Sequence, residues 1–167
     1  MSDITVREYS EGDLPRMREL TYICFEDVSI SHRIEKKYGL IGGRDWKFRK
    51  GGEFDEIMND ERANAFVAEE DGNVIGYIST IINSRESRIG RIVDFAVEPG
   101  HQKKGVGRSL FYAAQEYFRA EGMEYIKIET LANNAAGTHF YPKLGFETVA
   151  VQNHYIMPLT SGEKEQQ

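Results

Sequence analysis

A glycine turn between a predicted strand and a predicted helix is the feature that most constrains the fold of this chain. Residues 91–97 form an apolar run that predicts a strand, and residues 108–121 have the spacing of a helix. Between them, Gln102 to Gly107 read Gln-Lys-Lys-Gly-Val-Gly. Glycines let successive backbone N–H groups face one point at the start of a helix, where unpaired donors and the helix dipole attract an anion. The turn therefore predicts a phosphate-binding site.

What the glycine turn lacks narrows the class of phosphate ligand. A Walker-type loop carries Lys-Ser or Lys-Thr after its second glycine, but here Val106 follows Gly105. A Rossmann fingerprint opens the first βα unit of a chain and carries a third glycine, whereas Leu110 stands in that place. The sequence thus argues against both nucleotide sites. Taken alone, the glycine pair is equally consistent with an ordinary tight turn.

A second motif lies about one strand further along the chain, after a strand-like stretch at residues 125–131. Together the two motifs resemble the GNAT superfamily of acyl-CoA-dependent N-acyltransferases. The glycine loop of that superfamily, Gln/Arg-x-x-Gly-x-Gly/Ala, is matched at Gln102, Gly105 and Gly107. Its later element, Asn-x-x-Ala/Gly-x-x-Phe/Leu-Tyr-x-Lys-x-Gly-Phe, is matched at Asn134, Gly137, Phe140, Tyr141, Lys143, Gly145 and Phe146. The resemblance covers about residues 65–159, and residues 29–64 match nothing in it.

The order of the predicted elements fits the fold that this resemblance implies. Strands are expected at residues 4–9, 66–69, 74–82, 90–97 and 125–131, and helices at 13–27, 108–121 and 135–144, with a closing hairpin of 146–151 and 154–159. We therefore expect an α/β (α+β) fold, whose central mixed, mostly antiparallel sheet is flanked by helices and splayed between strands 4 and 5. Residues 1–159 are predicted to form a single domain, and the polar tail 160–167 to be disordered.

Composition and charge indicate how many domains, which partners and which metal or disulfide sites to expect. The chain has 167 residues, of which 40% are apolar, and this is enough for one globular domain with a core. Its net charge of −6 gives no general attraction to nucleic acid or to an anionic membrane, so neither is expected as a partner. Without a leader pattern or an apolar run of about 20 residues, a cytoplasmic location is expected. Cys24 is the only cysteine and the four histidines lack ligand spacing, so we expect no disulfide and no metal.

The resemblance implies acetyl-CoA as the acyl donor. In the superfamily, the N–H groups of the glycine loop bind the CoA pyrophosphate, and basic side chains add charge-assisted contacts. Main-chain groups at the end of the preceding strand bind the pantetheine arm, with the Val97 N–H near the thioester oxygen. Phe95 and Val97 are equally well interpreted as core residues, and Asn134 as a helix N-cap. Carried onto this sequence, the cofactor-binding residues are Phe95, Ala96, Val97, Gln102, Lys103, Lys104, Gly105, Val106, Gly107, Arg108, Asn134 and Tyr141.

Two residues are predicted to be catalytic, Tyr141 and Asp94. A phenol, with an ordinary pKa near ~10, is protonated at neutral pH and can serve as general acid toward the CoA thiolate. Many GNAT proteins place a glutamate on the strand before the glycine loop as general base, but residues 91–97 contain none. Asp94 is the only carboxylate there, and it could instead hold a backbone group or pair with Arg91. Glu129 and a water chain are the other options for the base.

Residues 31–50 contain seven lysines and arginines against two acids. Such a run is usually a solvated surface. The functional alternative is a mobile wall over the acceptor pocket, with Gly42 and Gly43 as a pivot, that favours an acceptor bearing a carboxylate or phosphate.

These observations predict an N-acetyltransferase that transfers an acetyl group from acetyl-CoA to a primary amine by direct attack in a ternary complex. The acceptor is expected to be a small molecule. A ping-pong route through Cys24 is disfavoured because no histidine pairs with it in the sequence. The rival hypotheses are a non-catalytic CoA-binding or regulatory module of the same fold, and an adaptor that binds phosphate alone. GNAT proteins commonly pair, so the resemblance leaves a homodimer open.

Overall fold

The computed structural model describes residues 3–159, which form five β-strands and five α-helices. The strands are β1 (Ile4–Glu8), β2 (Ala63–Glu70), β3 (Asn73–Ile81), β4 (Ile89–Val97) and β5 (Tyr125–Lys127). The helices are α1 (Leu14–Phe25), α2 (Ile30–Tyr38), α3 (Trp46–Met58), α4 (Val106–Ala120) and α5 (Ala135–Lys143), with short 3-10 turns at Glu11–Asp13 and Pro99–His101.

The strands form one sheet in the order β1-β2-β3-β4-β5. The first three pairings are antiparallel, and β4 pairs with β5 in parallel from Ile89 opposite Tyr125 to Arg91 opposite Lys127. β5 ends there, whereas β4 continues to Val97, so the sheet opens beyond Arg91. This confirms the predicted mixed sheet and its splay between strands 4 and 5. The fifth strand is shorter than the predicted 125–131.

An extra residue in β4 reverses the alternation of side chains between the two faces of the sheet in the second half of that strand. Ile78 pairs with Phe95 and Thr80 with Ile92, so Val93 and Asp94 both lie opposite Ser79. Two residues opposite one make a β-bulge, which shifts the side-chain alternation by one position. A Cβ on Gly90 would lie 2.2 Å from the Phe118 ring of α4, while Asp94, four residues later, contacts α3 on the other face.

The core lies on both faces of the sheet. On one face, Met17 and Leu20 of α1 and Phe54 of α3 pack with Val67 and Tyr77. On the other face, the buried side of α4 supplies Val106, Leu110, Phe111, Ala114 and Phe118. Full burial of side chains of this size contributes about 1.5–3 kcal/mol each. The sheet is therefore packed between α1 and α3 on one face and α4 on the other. This packing fixes the positions of the end of β4 and the start of α4.

The chain divides into two compact units, Met1–Leu131 and Ala132–Gln167. The first contains the sheet and α1 to α4, and the second contains α5, which agrees with the predicted helix at 135–144. The single domain over residues 1–159 stays a prediction, and the predicted tail 160–167 lies outside the described residues.

The predicted closing hairpin is wrong, because residues 146–159 form no strand. Val149 and Tyr155, whose alternation with polar residues suggested strands, are 92% and 91% exposed. Two strands without a third partner or a helix to cover their apolar face are only marginally stable in water. The alternation of apolar and polar residues therefore did not by itself produce a strand.

Candidate active site

The glycine loop places a row of backbone donors at the start of α4. Gly105 is the N-cap residue with φ +87°, a left-handed conformation that glycine adopts without steric cost. The first helical bond runs from the Ser109 N–H to the Gly105 carbonyl, 3.0 Å apart. Within residues 3–159, the N–H groups from Gly105 to Arg108 donate no hydrogen bond. Four such donors at the positive end of a 15-residue helix are an arrangement that favours an anion, and the predicted phosphate site at this loop stays a prediction.

The side chain of Gln102 fixes the loop to the end of β4. Its Nε2 donates to the Val97 carbonyl oxygen over 2.9 Å. The predicted contact of this residue with the cofactor is through its backbone and stays a prediction, while its carboxamide is used within the protein and shapes the loop. Lys103 and Lys104 are exposed on the same loop, so their ammonium groups are accessible to an anion.

Cys24 lies against the same strand end. Its thiol donates to the Val97 carbonyl oxygen, with Sγ 3.4 Å away. Burial, together with the nearby charge of Glu98, raises the pKa of the Cys24 thiol to about 11. At neutral pH the sulfur is a thiol, and the thiolate is the nucleophilic form. This environment argues against a ping-pong route through Cys24.

Asp94 is held in a buried ion pair with Lys50 of α3. The Lys50 ammonium lies 2.8 Å from Asp94 Oδ1, and the two side chains are 11% and 4% exposed. Lys50 is also 3.5 Å from Glu53 Oε2 and 4.8 Å from the centre of the Phe25 ring. The Asp94 backbone N–H donates to Ser79 Oγ at 3.0 Å, within the bulge. Asp94 is thus a desolvated carboxylate with a defined cation beside it.

Asp94 does not pair with Arg91, which was one of the alternatives to a catalytic role. Arg91 Nη2 lies 3.9 Å from Glu129 Oε2, beyond the end of β5. The partner of Asp94 is the Lys50 ammonium. Lys50 was missed because it is 44 residues away and no local pattern connects it to β4.

A buried hydroxyl pair lies on the same side of the sheet. Tyr77 Oη and Thr21 Oγ1 are 2.6 Å apart, and Thr21 also donates to the Met17 carbonyl oxygen at 2.9 Å. Burial, with the charge of Asp94 as a smaller cause, holds the pKa of Tyr77 well above its usual range. Tyr77 is therefore a neutral phenol whose hydrogen bond is satisfied. No local pattern predicted this pair, which joins β3 to α1.

The basic segment, residues 31–50, forms most of α2, a tight turn and the start of α3. Ile41 and Arg44 exchange two backbone hydrogen bonds around Gly42 and Gly43, which have φ of +60° and +71°. This two-residue turn is closed by its own bonds, and a role for Gly42 and Gly43 as a pivot stays a hypothesis. Five of the seven basic side chains are exposed: Arg33, Lys36, Lys37, Arg44 and Lys47.

The other two predicted site residues, Asn134 and Tyr141, belong to the second unit. Asn134 Oδ1 accepts from the Gly137 N–H at 3.2 Å and caps α5, as the N-cap interpretation predicted. The Tyr141 ring packs edge-on against Phe140 and Phe146, with ring centres 5.8 Å apart in each case. Burial raises the pKa of Tyr141 to about 12, so the phenol keeps its proton at neutral pH.

Two classes of feature are absent from residues 3–159. No three histidine, cysteine, aspartate or glutamate side chains in this part of the chain come together as a metal site. None of its helices combines the length and apolar character that a membrane crossing requires.

Comparisons with known proteins agree with this geometry. A mycothiol acetyltransferase from Streptomyces avermitilis is 29% identical over 145 residues, which is 87% of this chain but 43% of that protein. An N-alpha-acetyltransferase from Sulfurisphaera tokodaii is 31% identical over 112 residues, or 61% of this chain and 67% of that protein. A solved structure of an aminoglycoside N-acetyltransferase in complex with CoA has the same fold, with a TM-score of 0.69, 18% identity, and coverage of 94% of this chain and 96% of that one.

The chain therefore spans less than half the length of the mycothiol acetyltransferase it matches. The family model for the acetyltransferase (GNAT) family matches residues 15–146, which is most of the sequence. This chain belongs to the acetyltransferase (GNAT) family.

Proposed function

We propose that this chain transfers an acetyl group from acetyl-CoA to a primary amine, by direct attack of the amine in a ternary complex. The observation that carries the proposal is the row of backbone N–H groups from Gly105 to Arg108, which have no acceptor among the described residues. A diphosphate is a ligand that such amides bind well. Membership of the acetyltransferase family supports acetyl-CoA as the molecule that carries this diphosphate.

The donor is proposed to extend from this loop along β4. Lys103 and Lys104 would add charge-assisted contacts to the phosphates. The main chain of Phe95, Ala96 and Val97 would bind the pantetheine arm where β4 has separated from β5. This arrangement puts the thioester at the opening of the sheet, near the strand that carries Asp94.

The proposed reaction is a single displacement at the thioester carbonyl. The nitrogen of the neutral amine bonds to the carbonyl carbon, and the carbon–sulfur bond of acetyl-CoA breaks. Asp94 takes the proton that the amine loses, directly or through water, and Tyr141 donates to the sulfur that leaves. The phenol of Tyr141, with its pKa near 12, is a weaker acid than the CoA thiol. Tyr141 would therefore act mainly by hydrogen bonding to the charge that develops on sulfur, and solvent would return the protons.

The ion pair at Asp94 favours a second candidate function. Oδ1 of this carboxylate accepts from Lys50, so the ammonium of an acceptor has to compete with an internal amine for it. A CoA-binding or regulatory module without turnover would tolerate that arrangement. Glu129 and a water chain are the alternative bases if Asp94 has only a structural role.

A small molecule is the proposed acceptor. The names of the two relatives, mycothiol acetyltransferase and N-alpha-acetyltransferase, indicate that related chains act on different amines. The five exposed cations of residues 31–50 favour an acceptor that carries a carboxylate or phosphate besides its amine.

Release of free thiol from acetyl-CoA, measured with a panel of primary amines, tests the proposed activity. Tyr141→Phe should lower kcat by roughly 10²–10³-fold, the usual cost of losing one hydrogen-bond donor to a developing charge. Tyr112→Phe, at an exposed position on α4, is the matched control and should keep the wild-type rate. An unchanged rate in Tyr141→Phe would remove this residue from the mechanism.

A thermal-shift titration separates the candidate functions. CoA should stabilise the protein by RT ln(1 + [L]/Kd), whereas ATP and inorganic phosphate should not. Stabilisation by CoA without thiol release from any amine would favour the non-catalytic module. Equal stabilisation by ATP would refute the assignment of a CoA site.

A further inference from the structure

A histidine between two glutamates anchors the turn that joins β4 to the glycine loop. His101 is the last residue of the 3-10 turn Pro99–His101. Its Nε2 lies 2.9 Å from Oε2 of Glu70, the last residue of β2. Its Nδ1 lies 3.3 Å from Oε2 of Glu98, the first residue after β4. Each imidazole nitrogen thus faces a carboxylate from a different strand end, and all three side chains are about three-quarters buried.

The anchor continues into α1 and β3. Oε1 of Glu98 accepts from Arg16 Nη2 at 2.8 Å, and Arg16 Nε donates to the Val74 carbonyl oxygen at 3.0 Å. The Glu98 backbone N–H donates to the Ile75 carbonyl oxygen at 2.9 Å. Glu98 is therefore fixed independently of His101, and its carboxylate stays close to the imidazole.

His101 is the residue directly before Gln102, at the start of the glycine loop. The loop has two tethers at this end: the hydrogen bond from Gln102 to the Val97 carbonyl, and the 2.9 Å contact of His101 Nε2 with Glu70. The buried Nδ1 of His101 lies near Glu98 but forms no hydrogen bond within residues 3–159. The donors at Gly105 to Arg108 follow within a few residues. A loop that is ordered before binding loses less conformational freedom when its ligand arrives.

We propose that His101 is a positioning residue for the coenzyme, which holds the glycine loop so that its N–H groups converge on the pyrophosphate. This inference rests on the proposed function. His101 acts on binding and not on the reacting atoms. Its loss should therefore raise the KM and Kd for acetyl-CoA and leave kcat unchanged.

The test measures steady-state kinetics, CoA binding by calorimetry and thermal stability for the wild type and His101→Ala. We expect KM and Kd to rise about tenfold. This corresponds to the conformational entropy lost when binding has to order roughly one backbone residue that His101 otherwise holds in place. His101→Gln, whose amide can still donate to Glu70, should recover part of the affinity. His154→Ala changes an exposed histidine and is the control.

Three results would overturn the inference. The first is a His101→Ala variant that folds and has the same Kd and KM as the wild type. The second is a His101→Ala variant with a lower kcat and an unchanged KM. If His101→Ala does not fold, Glu70→Gln decides, because it keeps the shape of the side chain and should raise Kd about threefold by weakening one contact. An unchanged Kd in that variant would also contradict the proposal. A wild-type protein that binds no CoA would refute the proposed function itself, which distinguishes the two failures.

Discussion

Replacing Lys50 with methionine should destabilise the protein far more than removal of a comparable surface charge. The change keeps most of the volume of the side chain but removes the ammonium that lies 2.8 Å from Asp94. Asp94 is 4% exposed, so water cannot replace the lost partner. The variant is left with a desolvated carboxylate and no counter-charge.

The magnitude follows from the geometry of the pair. Two unit charges at this separation attract by roughly 6 kcal/mol at an effective dielectric constant of 20. Desolvation of the two ions costs several kcal/mol each, so the intact pair contributes little net stability. Removal of one partner leaves the other desolvated, and this costs about 3–5 kcal/mol. The double variant Lys50→Met/Asp94→Leu removes both charges and should lie within about 2 kcal/mol of the wild type.

Urea unfolding followed by tryptophan fluorescence measures these differences. Trp46 is the only tryptophan in the chain, it is 4% exposed, and it begins the helix that carries Lys50. Lys127→Met is the control, because Lys127 lies 2.7 Å from Glu129 but both side chains are about half exposed. That change should cost about 0–1 kcal/mol. The reasoning is refuted if Lys50→Met loses no more than the control, or if the double variant loses the sum of the two single variants.

Three further predictions concern the glycine loop, the sheet and the dependence of stability on acid pH. Gly105→Ala should cost about 1–2 kcal/mol in urea unfolding and raise the KM for acetyl-CoA, because alanine is strained at φ +87°. Gly90→Ala should lower the free energy of unfolding by about 1–3 kcal/mol or more, since the alanine Cβ would lie 2.2 Å from the Phe118 ring. An unchanged free energy of unfolding would contradict this close packing. The hydrogen bonds from Arg7 hold the pKa of Asp13 at about 2, so the stability they confer is complete above pH ~4 and is lost as the pH falls toward 2. Asp13→Asn should therefore show a shallower loss of unfolding free energy over that range.

Local patterns in the sequence were enough to predict the glycine loop and α4, whereas the opening of the sheet was implied by the resemblance to the GNAT superfamily. The loop and the helix depend on residues close together in the chain: glycines at fixed spacing, an apolar run before them and helical periodicity after them. The residues of that loop and of the end of β4 do lie together in the first unit. The roles assigned to Tyr141 and Asp94 stay predictions.

The remaining features depend on tertiary contacts that no local pattern encodes. Lys50 reaches Asp94 across 44 residues, and the bulge at Ser79 becomes visible only when β3 and β4 are aligned residue by residue. The predicted hairpin at residues 146–159 failed for a related reason. Alternation of apolar and polar residues shows which side chains of a strand could be buried. It does not show whether a neighbouring strand or helix will cover them.

The bulge at Ser79 also limits how this sequence can change by insertion and deletion. Removal of Val93 would eliminate the bulge and leave Phe95 and Ala96 opposite their present partners in β3, whereas removal of a residue elsewhere in β4 would exchange the two faces for part of the strand. A change in the length of β4 is therefore tolerated best at the bulge. At other positions the two faces are screened separately, Gly90 by its fit to Phe118 of α4 and Asp94 by its fit to Lys50 of α3.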